Sequence, residues 1–401
     1  MSGYTDLLRT RGVARIIAAQ LTARLPSGMI SLAFLIHIEG IFDSYGAAGL
    51  VLAATSVGQA IAGPLTSRLM GRLGMRPVLI VTLVICSTGI GLIAFALMPL
   101  WLFMVIGFVV GISTPPIQPA VRTIYPKMVT GKQLTPLFSL DASAQEIIWV
   151  TGPVITVLLA TQVSSVAAIA VAGVFLVGGG IWFIASPEVG KVRIPRSRRR
   201  LGVVLVNRAV LLATICGFLL IGSAASIEVG VVAVFGEGGA EAGILFGIWA
   251  IASLIGGLSM GHLPIGPWAL ARRFAIVVVG MAAAPFALEF WWLALALTIA
   301  GIGIAPVLAV MFAIVSASVK FSDTAEAYGW LGTGQLIGAA LGSAIAGFLI
   351  DDLGPIGGFY AALAFAVVGL LIAVVFRHWH PDLRGRDASP LPDTEPVEIV
   401  S

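Results

Sequence analysis

Four ionisable side chains fall inside long apolar stretches of this chain: Arg24, Asp141, Glu146 and Glu228. A charge held away from water is costly unless it is paired, so each marks either a functional position or a buried ion pair. A carboxylate in such a place can take up and release a proton, and a guanidinium can hold an anion. Arg24 lies about 15 Å past the start of its run near residue 14, close to a bilayer midplane and too deep to snorkel out. Gln20 stands one turn earlier on the same helix face. Glu146 lies about 14 Å into its own run from residue 137, at a similar depth. Arg24 and Glu146 are therefore expected to pair in at least one state, with a proton or a substrate competing for the pair. A permanent structural salt bridge is the other reading. Asp141 is expected in the first turn of its helix, where the helix N-terminus favours a carboxylate. The five-residue step from Asp141 to Glu146 puts them about 140° apart around a helix, on different faces. Glu228 is in the outer third of its run, facing either a vestibule or the lipid headgroups.

Other chemistry finds no foothold. Of the four histidines, His37, His262, His378 and His380, only the last two are close in sequence, and no metal site is expected. No Gly-Lys-Ser/Thr phosphate loop is present, so neither ATP-driven transport nor enzymatic activity is expected, and no cofactor. Cys86 and Cys216 both lie in apolar runs and imply no disulfide framework.

The elements that must position these residues follow from composition. Of 401 residues, 59% are hydrophobic and 10% charged, too few charges to solvate a globule of this size and too apolar for disorder. Apolar stretches near the ~20 residues needed to cross hydrocarbon recur from end to end. Twelve are expected, at roughly 14–40, 45–67, 77–97, 100–121, 137–161, 165–185, 205–234, 240–262, 270–288, 291–318, 324–350 and 356–377. Of the 23 Lys and Arg, 22 fall on one set of connections, including Arg122 and the run ending at Arg200. The other set carries Asp43, Glu237, Glu241, Glu289, Asp351 and Asp352. Lys and Arg accumulate on the cytoplasmic side, so both termini are expected there, in a multi-pass protein of the plasma membrane. The basic run at 191–200 reads as a cytoplasmic linker, not a nucleic-acid patch, and the segment 381–401 as a disordered cytoplasmic tail.

The halves repeat. An offset of about 190 residues aligns Trp101 with Trp291, Pro116 with Pro306, Gln145 with Gln335 and Gly152 with Gly342. Six spans duplicated in parallel orientation give two six-helix bundles related by a pseudo-two-fold axis normal to the membrane. The expected units are 1–190, a linker at 191–204, 205–380 and the tail.

Over nearly its whole length the chain resembles the major facilitator superfamily. That family's mark between spans two and three, Gly-x-Leu-x-Asp-Arg-x-Gly-Arg-Arg/Lys, is represented by Gly63 to Leu79, with Arg68, Arg72, Gly74 and Arg76 as candidate gating residues. The aspartate is missing, its position falling at Gly71 or Ser67. Arg72 and Arg76 are expected either to meet Asp323 or Glu326 across the halves or to remain solvated. Gly152-Pro153 is part of the drug-antiporter pattern of span five. The resemblance implies an all-α polytopic fold and alternating access around a central site. The partial Gly-Pro mark, the apolar walls and the sparse charged groups favour proton-coupled efflux of small, partly apolar molecules, by a functional monomer embedded in lipid. A proton-coupled uptake symporter for a sugar or organic anion is the alternative, and a non-transporting scaffold or receptor a remoter one. Arg24, Gln20, Asp141, Glu146 and Glu228 are the candidate substrate- and proton-binding residues.

Overall fold

The computed structural model describes residues 2–192, 194–195, 200–235 and 240–393. Glu237 and the core of the basic run, at 196–199, lie outside the described residues. Among the described residues, twelve helical spans are long and apolar enough to cross a membrane: Val13–Phe42, Gly46–Leu73, Met75–Phe95, Leu100–Lys127, Gly131–Gln162, Ser165–Ala185, Arg208–Phe235, Glu241–Met260, Ala269–Phe286, Phe290–Ser318, Phe321–Leu353 and Ile356–Val375. They form two bundles of six, and among the described residues there is no sheet, only an isolated bridge between Lys320 and Leu391. We call the side that carries the termini and the Lys/Arg-rich connections the basic face.

Two spans are broken where proline dictates. Span one runs as Val13–Arg24, a tight turn Leu25–Gly28 around Pro26, and Ile30–Phe42. Span four breaks at Pro115-Pro116 between Leu100–Ile112 and Ile117–Ile124. Proline lacks the N–H that would continue the ladder, so both breaks fall where the ring interrupts it. Pro306, by contrast, is carried inside an unbroken span ten.

Span five begins earlier than the sequence suggests. Thr130 and Gln133 form a reciprocal capping box that starts the helix at Gly131, with Pro136 carried inside it. Asp141 is therefore ten residues into the helix, and the expected stabilisation by the helix N-terminus does not apply to it. Gly334, Gly338 and Gly342 in span eleven abut Thr214, Phe218 and Gly222 of span seven, so that stripe serves close helix packing. Gly74 ends span two with φ of 92°, a left-handed value that favours glycine, and so allows the sharp reversal into span three.

The expectation of a disordered tail is corrected for residues 381–393. Leu383 and Ala388 are buried, and the backbone N–H of Leu391 donates to the Val319 carbonyl at 2.9 Å. These few apolar residues find cover at the ends of spans eight, ten and eleven.

Candidate functional site

Spans one, four and five meet in a buried polar cluster. At its centre is Asp141, fully buried, which accepts from Gln20 Nε2 at 3.0 Å, Tyr125 Oη at 3.0 Å and Arg122 Nε at 2.9 Å. Arg24 donates through Nη1 to Gln20 Oε1 at 2.8 Å and through Nη2 to Gln145 Oε1 at 2.5 Å, and lies 3.9 Å from Asp141. With the Gln118 amide oriented oxygen-first, that oxygen accepts from Arg122 Nη1 and Nη2. The cluster thus buries two guanidinium groups and one carboxylate, and nearly every donor has an acceptor, as burial demands.

Arg122 corrects the sequence reading most sharply. It was counted among the solvated cations of the connections. It is 1% exposed, because span four resumes after Pro116 and carries Arg122 into the bundle. Its guanidinium lies over the Phe312 ring of span ten at 3.4 Å from the centroid, which joins the two halves as well as spans four and five. Gln145 and Tyr125 were also missed.

Arg24 and Glu146, expected to pair, do not do so in this conformation. Gln145 shares a helix face with Asp141, four residues earlier, and it is Gln145 that meets Arg24. Glu146 is one residue further round the helix and turns to the other half, accepting from Ser253 Oγ of span eight at 3.0 Å. Among the described residues no cation is bonded to it. The Glu228 side chain, on span seven, is exposed. Arg24 and Glu146 share no hydrogen-bond partner. Arg24→Gln and Glu146→Gln should therefore be additive in thermal unfolding, to within about 0.5 kcal/mol. A large coupling in that double-mutant cycle would contradict the geometry.

The halves are closed on each other toward the basic face. Ser139 Oγ donates to the Gly257 carbonyl at 2.5 Å, and Thr333 Oγ1 to the Ala60 carbonyl at 2.8 Å. Gly63 and Gly329 touch backbone to backbone, where any side chain would collide. Phe138 meets Phe312 and Tyr328 with ring centroids 6.4 Å apart in each pair. Arg68, not Arg72 or Arg76, makes the cross-half ion pair, reaching Glu326 at 3.3 Å. Glu326 also accepts the Gly202 N–H of the linker. Arg76 instead holds the Ile184 and Ser186 carbonyls of its own half, and Arg72 is exposed. Glu146 and Ser253 add a further hydrogen bond between the halves. The outer part of span one, Ile30–Phe42, packs chiefly on spans two, five and six of its own half. The molecule is thus shut at the basic face. Because Glu326 ties the linker and Arg68 together, Glu326→Gln should loosen this closure. It would be read as faster modification of a cysteine placed at Thr333, and unchanged reactivity would refute the assignment.

The sequence matches the Major Facilitator Superfamily over residues 16–288 and 263–398. No curated protein matches it in sequence. Three solved structures share its fold. The human organic anion transporter MFSD10 (TETRAN) has TM-score 0.69 at 16% identity, covering 90% of this chain and 99% of that one. The E. coli fucose:proton symporter FucP gives 0.70 at 16%, covering 92% and 98%. A bacterial homologue of the iron transporter ferroportin, in an outward-facing state, gives 0.70 at 12%, covering 91% and 99%. Two six-helix bundles, closed at one face around buried charges from spans one, four and five, agree with that match: the chain belongs to the Major Facilitator Superfamily of secondary transporters.

Proposed function

We propose that this transporter couples cargo movement to protons, with Glu146 as the proton carrier, and that it exports small, partly apolar molecules across the plasma membrane. The observation that carries the reading is the place of Glu146: it bridges the two halves through Ser253 and has no bonded cation among the described residues. A proton is the simplest group that can remove its charge, and protonation weakens its hold on a donor hydroxyl, so proton binding and opening of the seam become linked. Arg24, Gln20, Asp141 and Glu228 complete the proposed binding set. The apolar walls support a partly apolar cargo.

Purified protein screened against a compound panel by thermal stabilisation should reveal ligands, since binding to the folded state raises its stability. In proteoliposomes, an imposed pH gradient should then drive the best ligand against its own gradient. Transport that ignores the pH gradient in both orientations would overturn proton coupling.

The one-sided Lys and Arg support placing the basic face in the cytoplasm. Cysteines introduced at Asp43 or Asp351 should react with an impermeant thiol reagent outside intact cells. Labelling at the basic face instead would invert the proposed orientation.

A further inference from the structure

Residues 381–393 follow span twelve and run back across the basic face. They are fastened to the second half at several points. The Leu383 N–H donates to the Ile265 carbonyl at 2.9 Å, and Arg386 Nη2 to the Ala317 carbonyl at 2.9 Å. Leu391 donates to Val319 at 2.9 Å and accepts from the Phe321 N–H at 3.1 Å, while Asp393 accepts from the Ser322 N–H at 3.1 Å. Ala388 and Leu383 are almost wholly covered.

The middle of the same segment reaches the first half. The Asp387 carboxylate lies against Gly131, the first residue of span five, so closely that no side chain would fit there. Asp387 Oδ1 also accepts the Ser389 N–H of its own segment at 3.0 Å, which fixes the carboxylate's orientation. Nearby, Ser389 to Asp393 share one surface cavity with Pro126 and Lys127 of the first half, Pro195 of the linker and Phe321 of the second. Lys127 Nζ sits 4.4 Å from the Phe321 ring centroid, again across the halves.

We infer that residues 381–393 act as a strap that holds the basic face shut, anchored on the second half and pressing Asp387 onto the start of span five. Opening that face separates spans four and five from spans ten and eleven. The strap is fixed to the second half by its backbone, so it moves with that half. The contact of Asp387 with Gly131 must then be lost, together with that of Lys127 with Phe321. Those contacts exist only in the closed arrangement, so they bias the equilibrium toward it. The strap is a conformational brake, and it is independent of which ion drives transport.

Distance measurement between spin labels tests this without a substrate. Labels replace Leu73 and Arg272, at the basic-face ends of spans two and nine, in a chain whose buried Cys86 and Cys216 are changed to Ala. The full chain should show mainly the short distance. A chain ending at His380 should show a long-distance population raised about threefold or more. Asp387→Ala should move the distribution the same way by less, and this variant alone decides the matter if the shortened chain does not fold. Full-length distributions in the folded variants, or a full chain already open at this face, would overturn the strap.

Discussion

Replacing Asp141 with Asn should be among the most damaging single substitutions in the protein. The change is nearly isosteric, yet it removes the only carboxylate of a cluster that buries Arg24 and Arg122. It also sets an amide N–H against at least one donor among Gln20, Tyr125 and Arg122. Breaking a buried pair while leaving its partner charged costs about 3–5 kcal/mol. Here two guanidinium groups lose their shared partner. The expected result is a large fall in the yield of monodisperse protein, and a melting temperature lowered by far more than surface substitutions produce. Arg122→Gln should be milder, because Arg24 and Asp141 then remain one against one. The double change Asp141→Asn with Arg122→Gln should recover part of what Asp141→Asn loses. Thermal unfolding in detergent orders the three. An Asp141→Asn protein as stable as the unaltered chain would show that the cluster is not held together by its charges.

The second large effect is on transport, not folding. Glu146→Gln keeps the carbonyl that accepts from Ser253 Oγ, so the seam between spans five and eight can still close. What it loses is the ability to change charge. Accumulation driven by a pH gradient should fall to the background of empty liposomes, while exchange of labelled for unlabelled cargo, which needs no net proton movement, should persist. Equal loss of both activities would make Glu146 a binding or structural residue. Full pH-driven activity would remove it from the coupling path altogether. Asp141→Asn is the necessary contrast, because its loss of activity should follow its loss of folded protein.

The spans were legible because a helix in lipid must bond its own backbone and cover about 30 Å of hydrocarbon, and few sequences but long apolar runs do so. The cluster was half legible. Arg24, Gln20 and Asp141 stood out as polar residues deep in apolar runs. Arg122 did not, because the apolar run at 100–121 ends just before it. What could have found it is the acceptor demand: Asp141, once freed from a helix-terminus role, needs a cation, and Arg122 is 19 residues earlier. Gln145 was legible in principle, one turn after Asp141, but its more conspicuous neighbour Glu146 drew the pairing argument. Ser253 gave no signal, since a hydroxyl in an apolar run usually bonds its own helix. In the loop after span two, the helix continues to Leu73. That leaves Arg68 level with Glu326, and Arg72 a turn beyond the place where the halves touch.

If Glu146 carries the proton which cargo movement requires, a proton is released or taken up when the best-stabilising compound of the panel is added to purified protein in weakly buffered solution. The unaltered protein should show a pH change that saturates with the compound. Glu146→Gln should bind the same compound, by thermal shift, with no pH change. An unchanged proton signal in Glu146→Gln would contradict the account.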